Sequence, residues 1–176
     1  MNATLHHWTI YESPLGSLTL RGGPGRLTAL QFPGPGDHLD EHLHRPAAFA
    51  EPIRQLEEYF AGRRQRFELA LDLHGTPFQQ RVWQRLLAIP YGTTISYTAL
   101  AGAIGRPDRV RAAAGAVART PVPIIVPCHR VLGLDGSLTG YGGGLERKQA
   151  LLDLERHAAD GQEPQPAWSF RQLALL

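Results

Sequence analysis

The sequence predicts an α+β protein built from two consecutive parts. Three observations predict it. Residues 5–32 alternate polar and apolar side chains between turns rich in Gly and Pro, the pattern of an antiparallel meander. From Thr76 onward the signals turn helical: capping residues, a first-turn proline and apolar residues three and four apart. His74-Gly75 separates the two regimes, and strands followed by helices is the order of an α+β chain. The expected division is an N-terminal α/β domain over 1–74, a C-terminal domain over 75–156, and a tail over 157–176.

In the first part, Leu5 to Tyr11 reads as a strand through Trp8, Ile10 and Tyr11, and Ser13-Pro14-Leu15-Gly16 as a turn. Ser17 to Arg21 alternates as a half-buried strand, Gly22-Gly23-Pro24-Gly25 turns, and Leu27 to Phe32 gives a third strand. Pro33 to Arg45 is a loop rich in Gly, Pro and His. Ala48 to Ala61 carries Phe49, Ile53, Leu56, Tyr59 and Phe60 at helical spacing, and Gly62 stops it. Phe67 to Leu73 alternates once more and is expected to be a strand.

In the second part, Thr76, Pro77 and Gln79 form a capping box ahead of a helix that buries Phe78, Val82, Trp83, Leu86 and Leu87. Ile89-Pro90-Tyr91-Gly92 turns. Ser96 caps a short helix over Tyr97–Ile104, Gly105-Arg106-Pro107 turns, and Asp108 caps a helix over Arg109–Ala118. This spacing fits either a helix-turn-helix or two ordinary packed helices. The run Arg111-Ala112-Ala113-Ala114-Gly115-Ala116 can approach another surface closely, a partner helix or a nucleic-acid groove. Gly133 to Ser137 turns. Gly140-Tyr141-Gly142-Gly143-Gly144 lacks P-loop spacing, and its glycines permit close approach to a flat ligand. Leu145 to Arg156 is a helix, with Glu155 near its end. Whether the apolar end of the tail docks is left open by its pattern.

The chain has 176 residues, a formal net charge of +2 and a pI near 9.0. This mild charge does not diagnose nucleic-acid binding, but Arg106, Arg109, Arg111 and Arg119 lie close together with one acid, Asp108. Such a patch binds phosphates or is a solvated helix face. One cysteine excludes an internal disulfide framework and a Cys-rich zinc site, and fits a reducing compartment. Met1 to Thr9 has no apolar h-region and no apolar run approaches bilayer length, so no membrane association and a cytoplasmic location are expected. His6, His7, His38, His42 and His44 read as solvated loop residues and not as a metal site.

That single cysteine lies in Ile124-Ile125-Val126-Pro127-Cys128-His129-Arg130-Val131, beside an imidazole and a guanidinium. Cationic and basic neighbours raise the population of the reactive thiolate, whereas a lone cysteine elsewhere is commonly a small buried apolar residue.

Taken with Thr76-Pro77-Phe78-Gln79, Val82-Trp83, Ile89 to Thr93, Ser96-Tyr97, Arg111 to Ala116, Ser137 to Tyr141, Gly143 to Leu145 and Leu151-Leu152, this segment resembles the O6-alkylguanine-DNA alkyltransferases, also called methylated-DNA–protein-cysteine methyltransferases. The resemblance is strong over 76–156 and weaker before it. It implies a ribonuclease-H-like N-terminal domain and a mostly helical, winged-helix-like DNA-binding domain. It implies a monomer without cofactor or metal that repairs double-stranded DNA containing O6-alkylguanine, moving the alkyl group once and irreversibly to Cys128. By resemblance His129 takes the thiol proton through a water and Glu155 orients the imidazole. Tyr97 serves guanine N3 and the adjacent phosphate. Arg111 enters the minor groove to fill the place of the flipped base, with Ala112, Ala113 and Gly115 letting the helix sit in the groove. Pro123, Val131, Ser137, Tyr141, Gly142 and Gly143 form the pocket. Two other readings remain at this point, a non-catalytic sensor of damaged bases and a winged-helix regulator; Cys128 speaks against the first and the scarcity of base-reading side chains over Ala112–Ala116 against the second. One departure stands out: Thr120 occupies the position where the family usually has Asn, the residue tying the recognition helix to the active-site segment.

Overall fold

The computed structural model describes residues 7–23, 25–34 and 38–161. The expected strand residues Leu5 and His6, the turn residue Pro24, Pro35 to Asp37 of the loop, and the tail from residue 162 lie outside the described residues. The chain divides into two compact units between Asp72 and Leu73.

The first unit carries the predicted meander: β1 (His7–Ser13), β2 (Gly16–Gly23) and β3 (Arg26–Gln31) form an antiparallel sheet in the order β1-β2-β3. Their alternation buries Trp8, Leu18, Leu20, Leu27 and Leu30. The β2–β3 register shifts between Arg21 and Gly22, where a Cβ on Gly22 would lie 2.2 Å from the Arg26 carbonyl oxygen, so only glycine fits the irregularity. Helix α1 (Ala50–Phe60) follows a 3₁₀ turn over Pro46–Phe49 and buries Gln55, Leu56 and Tyr59. Gln55 is buried because its amide is satisfied: it donates to the Glu68 carbonyl at 3.2 Å and accepts from the Glu68 N–H at 2.8 Å.

The segment Phe67 to Leu73 is not the expected strand. It meets β3 only at the parallel bridge between Leu27 and Leu71, through Leu27 N–H to Ala70 O and Asp72 N–H to Leu27 O, both 2.9 Å. Its alternation records half-burial without a ladder.

In the second unit, α2 (Pro77–Leu87) opens on the predicted box: Thr76 Oγ1 accepts from Gln79 N–H at 3.2 Å and Gln79 Oε1 accepts from Thr76 N–H at 2.8 Å. Val82, Trp83 and Leu86 form its buried face, whereas Leu87 is 43% exposed and stands outside the predicted core. Then come β4 (Ile95–Ser96), α3 (Tyr97–Ala103) capped by Ser96, and α4 (Val110–Ala118). Asp108 does not cap α4. It lies in a 3₁₀ turn, Pro107–Arg109, and its carboxylate takes a bidentate bond from Arg106. Trp83 Nε1 donates to the Ala116 carbonyl at 2.9 Å, locking α4 to α2. Strand β5 (Val131–Leu132) pairs in parallel with β4, Ile95 opposite Val131 and Ser96 opposite Leu132. This pairing sets the residues after Cys128 beside the start of α3. Helix α5 (Leu145–Ala159) runs three residues past Arg156, into the segment expected as tail. Among the described residues no helix is long and apolar enough to cross a membrane. The expected α+β class therefore holds, with a sheet-bearing first unit and a helical second one.

Candidate active site

The chain reaches Cys128 through a buried apolar run, Val122 to Val126, interrupted on the surface only by Pro123. Ile124 within it has φ of +75°. A β-branched residue in the left-handed region costs about 1–3 kcal/mol and persists only where its surroundings impose it. Cys128–Arg130 is a 3₁₀ turn, with Arg130 N–H donating to Pro127 O at 3.1 Å. Successive side chains of such a turn diverge by about 120°, so Cys128 and His129 face different ways.

His129 points to α5. Its Nε2 lies 2.8 Å from Glu155 Oε1, and both side chains are buried. The other ligands of that carboxylate are Arg130, through Nε to Oε2 at 2.8 Å and Nη2 to Oε1 at 2.9 Å, and Gly92 N–H to Oε2 at 3.1 Å. Arg130 Nη1 also donates to the Ile89 carbonyl at 2.6 Å, and its guanidinium sits over the Tyr91 ring, 5.6 Å from the centroid. Burial alone would raise the Glu155 carboxyl, but hydrogen bonds and charge from His129 and Arg130 outweigh it and bring it down to about 2. Glu155 is thus an anion throughout the physiological range, so Nε2 of His129 carries the proton and Nδ1 presents its lone pair. Nδ1 is buried and has no partner among the described residues. Burial lowers the basicity of His129 more than Glu155 raises it, which keeps the imidazole neutral and ready to accept.

Burial also pushes the Cys128 thiol up, to about 11, against the lowering effects of the Thr120 side chain, the Lys148 charge and the backbone N–H groups of Cys128 and Ile124. At rest the sulfur is a neutral thiol.

Lys148 is fully buried and is the only lysine in the chain. Its ammonium donates to Val131 O at 2.6 Å and to Thr139 O at 2.7 Å, fastening β5 to the Gly-rich loop. Tyr97 Oη donates to the same Thr139 carbonyl at 3.2 Å, and burial raises its pKa, so the phenol stays protonated. The Tyr141 hydroxyl is buried without a partner among the described residues and lies close enough to Cys128 to feel its charge.

The expected site residues therefore separate into groups. Cys128, His129 and Glu155 come together, with Tyr97 and Tyr141 around the sulfur. Val131 is buried; its N–H donates to Cys128 O and its carbonyl accepts from Lys148 at 2.6 Å, which leaves that oxygen a second lone pair. Ser137 N–H is likewise given to the Asp135 carboxylate at 3.0 Å. Gly143 O accepts from Arg147 at 2.8 Å, while Gly142 and part of Pro123 are open to solvent. Arg111 and Ala112 are exposed on α4 and Gly115 is partly so, but Ala113 is 0% exposed and packs inward. Ala113 therefore lets α4 approach its neighbours and does not face a groove. Arg130 and Lys148 were not singled out from the sequence. Among the described residues no group of three or more His, Cys, Asp or Glu could hold a metal ion.

Residues 77–157 match the family model described as 6-O-methylguanine DNA methyltransferase, DNA binding domain, and residues 6–73 match that family's ribonuclease-like domain. The class is thus a two-domain transferase with a DNA-binding C-terminal part. A methylated-DNA–protein-cysteine methyltransferase of Mycobacterium leprae is 50% identical over 157 residues, covering 86% of this chain and 93% of that protein. The constitutive Bacillus subtilis enzyme of the same description is 45% identical over 161 residues, covering 86% and 96%. The crystal structure of Mycobacterium tuberculosis OGT in complex with DNA superposes with a TM-score of 0.83 at 46% identity, covering 93% of this chain and 99% of that one. The chain belongs to the 6-O-methylguanine DNA methyltransferase family.

Proposed function

We propose that this protein repairs duplex DNA by moving a methyl or larger alkyl group from guanine O6 to Cys128, once per molecule. The observation that carries the reading is a buried thiol beside a histidine whose Nε2 is fixed on Glu155 and whose Nδ1 is left open. The thiol proton passes through a water to His129 Nδ1, and Glu155 stabilises the imidazolium that forms. Sγ attacks the alkyl carbon in line, the C–S bond forms, the C–O6 bond breaks, and its electron pair stays with guanine. Tyr97 supplies a hydrogen bond or proton at N3 as that charge develops. The phenol must first turn away from Thr139 O, and its raised pKa keeps the proton available. The thioether has no leaving group that water displaces at neutral pH, so the cysteine is not regenerated.

The alkylated base must leave the stack to reach a buried sulfur. Arg111, exposed near the start of α4, is the side chain proposed to enter from the minor groove and fill its place. Ala112 and Gly115 keep that approach close, and Pro123, Tyr141 and Gly142 border the pocket. The two helices α3 and α4 act as a helix-turn-helix in this reading, and the protein works as a monomer in the cytoplasm without a cofactor. The test is incubation with duplex DNA carrying radiolabelled O6-methylguanine. Label moves to the wild-type protein and not to Cys128→Ser; absence of transfer from wild type, or unchanged transfer in Cys128→Ser, sinks the reading.

A further inference from the structure

One carboxylate carries one negative charge, and two side chains able to be cations meet on Glu155. His129 Nε2 and Arg130 Nη2 lie on the same oxygen, Oε1, at 2.8 and 2.9 Å, and Arg130 Nε takes Oε2 at 2.8 Å. Two nitrogens on one oxygen lie within about 6 Å of each other. All three side chains are buried. A guanidinium stays charged through the physiological range, so Arg130 already balances the carboxylate. Charging His129 as well would place two cations on one anion in a desolvated site, with the Lys148 ammonium a third positive charge bearing on the imidazole.

The second observation is how the ion pair is anchored. Arg130 Nη1 donates to Ile89 O at 2.6 Å, its guanidinium carbon lies over the Tyr91 ring, and Gly92 N–H reaches Glu155 Oε2 at 3.1 Å. Three residues of one turn thus hold both members of the pair in place, and the guanidinium cannot swing away when a proton reaches His129. Without that positive charge, a buried Glu155 beside His129 would favour the imidazolium, both of whose nitrogens carry protons, and Nδ1 would have no lone pair to offer.

We propose that Arg130 is a positioning residue for the proton relay: by sharing Glu155 Oε1 with His129 it offsets the carboxylate's pull on the imidazole and keeps Nδ1 open to the thiol proton. The imidazolium then forms only as the thiolate appears to balance it. Nε2 keeps its own proton on Oε1 throughout, and the proton that moves is the one from Cys128. The charged and titratable groups that bear on the imidazole are Glu155 and Lys148 from α5, Arg130 and the Cys128 thiol on its own turn, and Tyr91 behind the guanidinium. Burial lowers the basicity of His129 most, Glu155 opposes it, and Arg130 and Lys148 add to the lowering.

This inference rests on the alkyl-transfer reading for its kinetic part but not for its titration part. The experiment follows the His129 imidazole by NMR in the full chain with isotope-labelled histidine, its signal identified by its loss in His129→Gln. Wild type is compared with Arg130→Gln, which removes the charge, and Arg130→Lys, which keeps the charge and breaks the two-pronged bond. A unit charge at this distance, at an effective dielectric constant of about 20, moves a titration by about 1–2 pH units. The His129 midpoint should therefore rise by about 1–2 units in Arg130→Gln and by less than about half a unit in Arg130→Lys. The acid limb of transfer from a free O6-alkylguanine base should move with it. If Arg130→Gln does not fold, Glu155→Gln and the double variant Arg130→Gln with Glu155→Gln take its place, and the double should titrate about 1–2 units above the single. A midpoint unmoved or lowered on loss of the charge, or an equal rise in Arg130→Lys such as mere loosening of the site would give, overturns the inference. No transfer from wild type, or an acid limb that does not track the imidazole, would instead defeat the parent reading, while the titration still decides the role of Arg130.

Discussion

Replacing Arg130 by Met removes one partner of a buried ion pair and leaves the other in place. The Glu155 carboxylate then loses both guanidinium bonds while keeping those of His129 and Gly92 N–H, and Ile89 O loses its donor at 2.6 Å. Breaking a buried pair in this way costs about 3–5 kcal/mol, a large fraction of the ~5–15 kcal/mol that holds a typical domain folded. At about 2–4 °C per kcal/mol for a chain of this size, thermal unfolding should fall by roughly 6–20 °C. Glu155 binds its proton less tightly folded than unfolded, its pKa lying at about 2 against an ordinary 4.5. The stabilisation is therefore complete above pH 4.5 and is lost as pH falls toward 2. The gap between wild type and Arg130→Met should narrow over that window in denaturant unfolding followed by circular dichroism. A double variant, Arg130→Met with Glu155→Gln, removes both charges and should recover much of the loss. A single variant within about 1 kcal/mol of wild type at neutral pH, against that ~3–5 kcal/mol, would refute the clamp as a stabilising unit.

Other outcomes follow from the same structure. Burial holds the Cys128 thiol protonated to about 11 against an ordinary 9.0, so folding should weaken as pH rises from 9 toward 11, and Cys128→Ala should flatten that limb in an equilibrium unfolding series. Arg111→Ala should slow repair of duplex DNA tenfold or more, on the order of one phosphate or stacking contact, while leaving reaction with a free alkylated base near wild type; equal loss on both substrates would count against an intercalating role. Lys148→Met removes two hydrogen bonds, leaving the Val131 carbonyl without its Lys148 donor and the Thr139 carbonyl with that of Tyr97, for a loss of about 2–4 kcal/mol read by thermal melting. Trp83→Phe keeps the ring in the core but removes the indole bond to the Ala116 carbonyl, which keeps only the longer one from Arg119 N–H at 3.2 Å, and should cost about 1 kcal/mol by the same assay.

The elements that sequence patterning captured are those whose signals are local. The Thr76–Gln79 box, the Ser96 cap and the β1–β3 meander each rest on residues a few positions apart, and each is present. Phe67 to Leu73 misled because alternation reports which side chains are half-buried, and pairing depends on a neighbour far away in sequence. Asp108 is a good capping residue beside an arginine that binds it better in this turn. Ala112, Ala113 and Gly115 look alike in a run of small residues, and only the packing on α2 and α3 separates an inward Ala113 from an exposed Ala112. Cys128, His129 and Glu155 were named from the sequence because the resemblance supplied a distant partner that spacing could not. Arg130 and Lys148 escaped because their partners are a carboxylate and backbone carbonyls on other elements. The signal that could have found Lys148 is compositional: it is the single lysine in a chain whose other basic side chains of that class are all arginine.

Intact-mass spectrometry of the protein after reaction with excess O6-methylguanine duplex tests the central claim most directly. The account predicts a gain of one methyl group per molecule, a plateau at that stoichiometry, unmodified guanine in the product DNA, and a peptide map placing the group on Cys128. Turnover beyond one equivalent, or a methyl group on any other side chain, would contradict it.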